Sequence, residues 1–241
     1  MTPIDLRINP LVSCIMVTRD RRHFVPKAIA CFLAQDYRWR EMVIVNDGED
    51  IADLIPRDPM FRYFVNRRQR GQATIGRLRN MACDLAKGEL IAHWDDDDWS
   101  GPDRLSHQVG FMTNDAGDLI ADIGGYRDML FFDIKKRLLR KYDAGPGHYA
   151  VGTSLIYQRR FWRNVRQFPQ ELDPISGMVG EDNRFIEGQP VVTASSIEPK
   201  VRMVAGVHAA SVSYQNSPAR LNGMRPVTCP DLIHYVEELF K

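Results

Sequence analysis

Long apolar runs and closely spaced cysteines are both missing from this sequence. No apolar run reaches the roughly 20 residues that a membrane-spanning helix needs, and the N-terminal segment MTPIDLRINP lacks the basic and apolar regions of a signal peptide. The four cysteines form no CxxC pair, and three of them lie in apolar periodic stretches, as buried thiols of a reducing compartment do. We therefore expect a cytoplasmic protein without a transmembrane segment, and peripheral contact with a membrane stays open.

An excess of one charge is missing too. The 32 Lys and Arg residues nearly balance the 31 Asp and Glu residues, which argues against a protein dedicated to nucleic-acid binding. No GxxxxGK[ST] motif is present, which excludes a P-loop enzyme, and the lack of GxGxxG after the first strand disfavours a classical dinucleotide-binding fold. Neither HExxH nor GxSxG occurs.

What is present is the composition of a globular protein. Its 241 residues are 44% hydrophobic and 26% charged, enough to bury a core without disulfides or structural metals. The first half alternates buried strands with amphipathic helices, which is typical of a parallel α/β sheet. The predicted strands are Leu11–Thr18, Met42–Val45, Phe61–Val65 and Leu90–Trp94, and the predicted helices are about Phe24–Gln35, Thr74–Lys87 and one capped by Ser100.

The second half has shorter and more varied elements. No Pro/Gly/Ser-rich linker separates it from the first half, so we predict one domain over residues 1–241, with halves of about 1–115 and 116–241. Its predicted strands are Ile120–Ile123, Asp128–Asp133, Arg137–Tyr142, Thr153–Tyr157, Val191–Ser196 and Lys200–Ala205. Its predicted helices are one that includes Phe161 and Trp162, a short one over Val179–Glu187, and Asp231–Phe240.

Four adjacent carboxylates, Asp95 to Asp98, directly follow the strand Leu90–Trp94. Ligands of open parallel sheets bind beyond the carboxyl ends of the strands, where this run must lie. If the run is extended, Asp95 and Asp97 face one side, and Asp96 and Asp98 face the other. A DxD pair suits Mg²⁺ or Mn²⁺, which bind through one or two carboxylates together with substrate phosphates. An acidic surface loop is the alternative, and the buried strand before the run disfavours it.

Two further groups of polar residues belong to the same half. Asn46-Asp47-Gly48 follows the second strand, and it is either a plain turn or a contact from Asp47 to a base or ribose. Arg77 and Arg79 lie in the first turns of a helix, where guanidinium groups could hold a diphosphate or bind a base. An exposed helix face explains either arginine equally well.

The second half offers two more candidates. Gly180-Glu181-Asp182 supplies either a general base, which proton abstraction from a hydroxyl requires, or carboxylates that favour a helix N-terminus. His208 follows a predicted strand and begins a Ser-rich loop, so a structural role and a ligand role both fit it.

Together these residues resemble the pattern of a family 2 glycosyltransferase with the GT-A fold. The resemblance runs from about Leu11 to Ser213, and four segments carry it: TRDR after the first strand, CFLAQDYRWREMVIVNDGED, GRLRNMACDLAKGELIAHWDDDDWSGPDRL and the later GED. It implies an α/β fold with a mostly parallel, Rossmann-like sheet flanked by helices and a smaller, mixed acceptor-side part. The first half would then bind the nucleotide sugar and the second half the acceptor. Asn46 departs from the pattern, because an aspartate is common there.

The resemblance also implies roles for individual residues. Asp182 matches the catalytic base, with Glu181 as its neighbouring alternative. Asp97 matches the direct metal ligand, while the fourth aspartate leaves the register of the DxD open by one residue. Further metal positions are Asp95, Asp98 and His208, and the nucleotide-sugar positions are Thr18, Arg19, Asp47, Arg77, Arg79, Asp95 and Asp96.

The implied activity is inverting transfer of a sugar from a nucleotide-diphosphate sugar to an acceptor hydroxyl, dependent on Mn²⁺ or Mg²⁺. The acceptor could be a glycan, a lipid-linked sugar, a protein or a small molecule, and no nucleic-acid partner is expected. One alternative is a sugar-phosphate nucleotidyltransferase, which normally has a Gly-rich phosphate loop where this chain has TRDRRHF. The other is an inactive sugar-nucleotide-binding subunit, which the intact acidic run and Asp182 disfavour. The donor sugar, its base and the oligomeric state are left open.

Overall fold

The computed structural model of the chain describes residues 9–67, 71, 73–145, 147, 149–171, 180–209, 211 and 224–240. The predicted helix start at Val179 and the end of the resemblance at Ser213 lie outside these residues. The strands are β1 (Val12–Thr18), β2 (Arg40–Asn46), β3 (Phe61–Val65), β4 (Leu90–His93), β5 (Trp99–Ser100), β6 (Ile123–Asp133), β7 (Leu138–Asp143), β8 (Ile156–Gln158), β9 (Val192–Ser195), β10 (Met203–Val207) and β11 (Arg225–Pro226). The helices are α1 (Val25–Leu33), α2 (Ile75–Leu85), α3 (Arg104–Met112), α4 (Arg159–Asn164), α5 (Glu181–Ile186) and α6 (Pro230–Leu239), with 3₁₀ turns at Ala52–Leu54 and Gly152–Ser154.

Four parallel strands of the first half form the part of the sheet that positions the site. They lie in the order β4, β1, β2, β3, and Thr18 at the end of β1 pairs with Asn46 at the end of β2. Asn46 in turn pairs with Val65 at the end of β3. The residues that follow these strands are therefore brought to one edge, as expected for a parallel sheet.

The strands of the second half extend the same sheet. The hydrogen-bonded order is β11, β7, β6, β8, β4, β1, β2, β3, and β8 runs antiparallel to β4. The long strand β6 also pairs with β9 and β10, both parallel to it. Because β10 pairs with β5 as well, the segment after β10 is brought next to the acidic run that precedes β5.

Helices cover both faces of this mixed sheet, and alternation along β1 divides the core between them. Cys14 and Met16 face α1 and α3, where they pack with residues such as Phe32. Ile15 faces α2 and α5 and belongs to a second cluster that includes Phe185. The predicted α/β fold, with a mostly parallel sheet flanked by helices, is confirmed.

Two details of the predicted elements are wrong. Ser100 lies in β5 and does not cap α3, which begins after Asp103; the Ser100 hydroxyl instead accepts a hydrogen bond from a side chain of that helix. The predicted strands Ile120–Ile123 and Asp128–Asp133 are joined in β6, because Gly124 and Gly125 between them are packing positions rather than a break. A Cβ at Gly124 would lie 2.7 Å from the sulfur of Met112, and one at Gly125 would lie 2.7 Å from the Cβ of Ala150.

The cysteines follow the sequence prediction. Cys14, Cys31 and Cys83 are buried, Cys229 is exposed, and all four are free thiols. None of the described helices combines the length and the apolar character needed to cross a membrane.

Candidate active site

The four aspartates form a turn at the carboxyl end of β4. Arg21 donates from one nitrogen, Nη1, both to Asp96 Oδ1 at 3.0 Å and to Asp97 Oδ2 at 3.1 Å. The expectation that Asp96 and Asp97 face opposite sides is therefore wrong, because the backbone turns at these residues instead of running extended. Each of the four carboxylates consequently has its own surroundings.

Asp96 links the acidic turn to the end of β1. It is buried, and its Oδ2 accepts a hydrogen bond of 2.6 Å from the hydroxyl of Thr18. Burial raises the pKa of Asp96 to about 6, the neighbouring Asp97 adds to the rise, and Arg21 opposes it. The carboxylate is thus occupied by protein donors on both oxygens.

Asp98 links the same turn to the second half of the chain. It accepts hydrogen bonds from the hydroxyl of Thr153 and, at 3.0 Å, from the backbone N–H of Gly206 in β10. Burial raises the pKa of Asp98 well above its usual range, with Asp97 and Asp95 adding to the effect. Gly206 is required here, because a Cβ at that position would lie 2.1 Å from the carbonyl oxygen of Asp97.

Asp97 meets His208 in the region where the resemblance places the metal. Nε2 of His208 lies 3.0 Å from Asp97 Oδ2, and the hydroxyl of Ser211 lies 3.4 Å from the same oxygen. A distance of 3.0 Å fits two adjacent ligands of an octahedral cation whose bonds are about 2.1 Å long. Within the described ranges, no cluster of three His, Cys, Asp or Glu side chains is arranged to hold a metal. Asp97 Oδ2 is thus shared by Arg21, His208 and Ser211, and Asp97 with His208 could supply two ligands to a cation whose other ligands come from outside this group.

Arg79 joins the two halves of the chain at this site. Its Nη1 contacts Glu181 Oε1 at 2.5 Å and also Asp182 Oδ1, and its Nη2 lies 3.6 Å from Asp95 Oδ1. Arg79 is buried on α2, whereas Arg77, two residues earlier and therefore on a different face of the helix, is exposed and has no described carboxylate within ion-pairing distance. The structure thus brings Arg79, and not Arg77, to the acidic residues.

Asp182, at the start of α5, packs directly on the 3₁₀ turn Gly152–Ser154. A Cβ at Gly152 would lie 2.1 Å from Asp182 Oδ2, so only glycine leaves room for the carboxylate. Nδ1 of His93 lies 3.8 Å from Asp182 Oδ1 and 2.8 Å from the carbonyl of Gly152. Because a carbonyl can only accept, Nδ1 carries the hydrogen. Burial lowers the pKa of His93 well below its usual range, so the imidazole is neutral.

Burial also raises the pKa of Asp182, to about 8. Arg79 opposes this rise, while the carboxylates of Glu181 and Asp95 add to it. A carboxyl group with such a pKa exchanges its proton near neutral pH, which is the property a general base needs.

Asp47 lies at the end of β2 with its carboxylate turned inward. It is fully buried, and its two oxygens accept hydrogen bonds from Arg19 Nη2 and, at 2.7 Å, from Asn66 Nδ2. Arg19 also donates to the carbonyl of Ala73 at 2.5 Å, and its side chain remains 39% exposed. At this end of the site Arg19 is therefore the group open to a ligand, and Asp47 holds it in place.

Sequence reasoning assigned no role to three residues that contact the site. Arg21 stands in the TRDR segment, but nothing in its spacing shows that it reaches Asp96 and Asp97. His93 is an apolar-strand residue by pattern, and Thr153 carries no motif at all. Their contacts join positions far apart in the chain, so they follow from the packing of β1, β4 and the 3₁₀ turn rather than from any local signal.

Comparison with known proteins places the chain in a family. The family Glycosyl transferase family 2 matches residues 13–171. One relative is WcaA of Escherichia coli (strain K12), which is named as a glycosyl transferase of colanic acid biosynthesis. It is 37% identical over 107 residues, which are 42% of this chain and 37% of WcaA. The O-antigen biosynthesis glycosyltransferase WbnJ of Escherichia coli is 28% identical over 120 residues, 48% of this chain and 47% of WbnJ. The match thus spans less than half the length of these relatives.

Two solved structures share the fold. TarS of S. aureus in complex with UDP-GlcNAc superposes with a TM-score of 0.62 at 17% identity, over 83% of this chain and 59% of TarS. The mannosyltransferase PcManGT from Pyrobaculum calidifontis, in complex with GDP-Man and Mn²⁺, superposes with a TM-score of 0.61 at 16% identity, over 96% of this chain and 70% of PcManGT. The chain therefore belongs to glycosyl transferase family 2 and has the GT-A fold.

Proposed function

We propose that this protein is an inverting glycosyltransferase that moves a sugar from a nucleotide-diphosphate sugar to an acceptor hydroxyl with the help of a divalent cation. The observation that carries the proposal is the bridge made by Arg79, which contacts Asp182 of the second half and approaches Asp95 of the first. A carboxylate able to act on an acceptor thus stands beside an acidic turn able to bind a cation and, through that cation, a diphosphate.

Asp97 and His208 are the residues that would hold the cation, since their ligand atoms already meet. Mn²⁺ or Mg²⁺ bound there would neutralise the charge that develops on the departing nucleoside diphosphate. Asp95 and Asp98 flank this position; Asp98 is engaged by Thr153 and Gly206, so its part is to hold the turn. The Mn²⁺ in the PcManGT complex supports the choice of a divalent cation.

Asp182 is the proposed general base. It takes the proton of the acceptor hydroxyl while that oxygen attacks the anomeric carbon from the face opposite the leaving group, so a single displacement inverts the configuration. Gly152 leaves space for the carboxylate, and Arg79 holds it from the other side. Glu181 is buried against Arg79, which makes it the weaker candidate.

The nucleotide end of the site is proposed at the carboxyl ends of β1 and β2. Arg19 would contact the base or ribose there, with Asp47 and Thr18 fixing the edge on which it lies. TarS with UDP-GlcNAc and PcManGT with GDP-Man support a nucleotide-sugar donor of one of these kinds. The exposed Arg77 would lie at the rim.

The acceptor is proposed to be a glycan, a lipid-linked sugar or a small molecule. The names of WcaA and WbnJ point to glycan biosynthesis in relatives that share less than half their length with this match. A cytoplasmic location is proposed because all four cysteines are free thiols. Membership of glycosyl transferase family 2 disfavours a nucleotidyltransferase, and an inactive binding subunit is the outcome expected if donor binds but never reacts.

Calorimetric titration of UDP and GDP, with Mn²⁺ and with EDTA, tests the proposal. One of the two diphosphates should bind with Mn²⁺ and bind at least about 10-fold more weakly with EDTA, because a cation held by Asp97 and His208 would supply the positive charge that attracts the phosphates. Asp97→Asn should reproduce the loss in the presence of Mn²⁺, since it removes one charged ligand. Asp115→Asn, at an exposed position, is the matched control and should bind like the parent. Equal affinity in EDTA and in the Asp97 variant contradicts a metal site at this turn.

A further inference from the structure

Arg104 of α3 is a fully buried cation that the proposed reaction does not use. Its Nη2 donates to the carbonyl of His93 at 2.6 Å and to the carbonyl of Thr153 at 3.2 Å. Its Nη1 donates to the hydroxyl of Ser100 at 2.9 Å, and its Nε donates to the side-chain oxygen of Gln108 at 3.2 Å. All four acceptors are neutral groups.

A buried guanidinium without an ion pair is costly, so its presence needs an explanation. Among the described carboxylates, none lies within 4.0 Å of Arg104, although Asp98 and Asp95 are near enough to favour its charge. Its guanidinium carbon also lies 4.8 Å from the ring centre of Trp94, the residue just before the acidic turn. The positive charge therefore lies near the acidic turn, within electrostatic reach of Asp98 and Asp95.

The acceptors of Arg104 lie on both sides of that turn. His93 ends β4 just before the turn, and Ser100 belongs to β5 just after it, so one planar group ties the two ends together. Its third acceptor, Thr153, is the residue whose hydroxyl donates to Asp98. A guanidinium can do this because its donors point in fixed, different directions, which an ammonium group cannot match.

The same helix also fixes the turn on which the proposed base packs. Gln108, one helical turn after Arg104, donates to the carbonyl of Ser154 at 2.7 Å. Arg104 and Gln108 thus hold both ends of the segment Thr153–Ser154, and Gly152 immediately before it contacts Asp182.

We infer that Arg104 is a positioning residue that sets the acidic turn and the turn beneath the base in register with each other. It touches neither donor nor acceptor, and acts through His93, Ser100 and Thr153. The kinetic part of this inference rests on the proposed function, whereas the structural part does not.

Hydrogen exchange followed by mass spectrometry tests the structural part without any substrate. Arg104→Lys keeps the positive charge but loses the separately directed donors of the guanidinium. Amides of segments 94–100 and 150–156 should therefore exchange at least about 10-fold faster than in the parent. Arg202→Lys is the matched control, because Arg202 is also buried but pairs with Asp103 outside the site. Unchanged exchange in both segments of a folded Arg104→Lys variant overturns the inference.

Gln108→Ala keeps the test decisive if Arg104→Lys does not fold. It removes the bond to Ser154 and the acceptor of Arg104 Nε but keeps the other three hydrogen bonds of Arg104. Segment 150–156 should again exchange faster, while segment 40–46 of β2 does not. If the exchange rates of segments 150–156 and 40–46 change by the same factor relative to the parent, or neither changes, the inference is overturned.

The kinetic part is tested by turnover of UDP-GlcNAc and of GDP-mannose with Mn²⁺. For the donor that the parent uses, Arg104→Lys should lower kcat about 10²-fold, as misplaced groups typically do, and raise the Mn²⁺ concentration for half-maximal rate, while KM for donor changes by less than about 3-fold. A variant that loses thermal stability like Arg202→Lys but keeps the parent kcat and Mn²⁺ dependence shows a merely structural role. If the parent binds neither UDP nor GDP, the proposed function fails, and the exchange experiment still decides the role of Arg104.

Discussion

At the scale of single residues, Asp182 lies between the guanidinium of Arg79 and two other carboxylates. Arg79 contacts it directly, Glu181 precedes it on α5, and Asp95 lies on the other side of the same guanidinium. Burial and the two carboxylates raise its pKa to about 8 against the pull of Arg79. The balance leaves a carboxylate that is basic enough to accept a proton and still able to ionise.

The pH dependence of transfer follows from that balance. A general base must be deprotonated, so activity is lost as the pH falls below the pKa of the group. We expect kcat/KM to rise with pH and to level off above about 8, because this parameter reports the free enzyme. Rates measured between pH 5.5 and 9.5 with donor and Mn²⁺ check it, and a profile that is flat over this range contradicts a base with a raised pKa.

Substitution separates the proposed base, Asp182, from its neighbour Glu181. Asp182→Asn should bind donor and metal nearly as the parent does, yet turn over at least about 10²-fold more slowly, since general-base catalysis contributes about 10²- to 10⁴-fold. Glu181→Gln is the matched control and should retain most of the rate. The measurement is single-turnover transfer. If Asp182→Asn keeps full activity and Glu181→Gln loses it, the base is Glu181 and not Asp182.

At the scale of elements, the site lies at one edge of the sheet, where hydrogen bonds join short turns to the strands. The acidic turn is joined to β1 through Thr18, to β10 through Gly206, and to the 3₁₀ turn through Thr153. These links explain why two of the four aspartates are buried rather than available to a ligand. The turn is a built structure in which Asp96 and Asp98 support Asp95 and Asp97.

The 3₁₀ turn Gly152–Ser154 gives a prediction of its own. Gly152→Ala would place a methyl group 2.1 Å from Asp182 Oδ2, so the carboxylate must move while the core around β8 stays intact. We expect kcat to fall at least about 10²-fold, as misplacement of a catalytic group typically causes, with little change in donor affinity. Gly110→Ala is the control, because its Cβ would meet no atom within 4 Å. Parent-like kcat in Gly152→Ala contradicts the placement of the base on this turn.

Much of this arrangement is predictable because strand ends carry strong local signals. The buried strand before Asp95 and the strand before Asp47 place both residues at one edge of a parallel sheet, and the structure confirms that edge. The turn at Asp96 and Asp97 was not predictable, since side-chain alternation holds only for an extended chain. Arg21 and Arg104 were missed for a different reason: each reaches its partners through tertiary packing, and an isolated arginine has no pattern.

At the scale of the whole molecule, the carboxylates gathered at the acidic turn lower the stability of the fold. The sheet buries Asp96 and Asp98 close to Asp97, and burial with mutual repulsion raises the pKa of both buried groups. Arg21 and Arg104 offset part of this cost from two sides of the turn. Such concentration of like charge in a folded protein is expected where a cation binds.

The consequence for stability has a definite sign. A carboxyl group whose pKa is higher in the folded chain than in the unfolded one stabilises the fold most at low pH, and the contribution is lost as pH rises through the folded pKa. For Asp96 that loss occurs between about 4 and about 6, and a shift from 3.8 to about 6 corresponds to about 3 kcal/mol at about 1.4 kcal/mol per unit. The unfolding free energy of the parent includes this loss between pH 4 and pH 7.5. Asp96→Asn should not show it, so over the same interval the variant should lose less stability than the parent, by about that amount.

Mn²⁺ should reverse this loss. A cation held by Asp97 and His208 relieves the repulsion of the ionised carboxylates and binds only the folded state, so it stabilises the protein through mass action. Because the carboxylates are ionised at high pH, the stabilisation should be larger at pH 7.5 than at pH 5. Urea unfolding with and without Mn²⁺ at the two pH values measures it, and Asp97→Asn is the variant that should lose it. Equal stabilisation of the parent and of Asp97→Asn would mean that Mn²⁺ binds away from the acidic turn, and the proposed metal site would then be wrong.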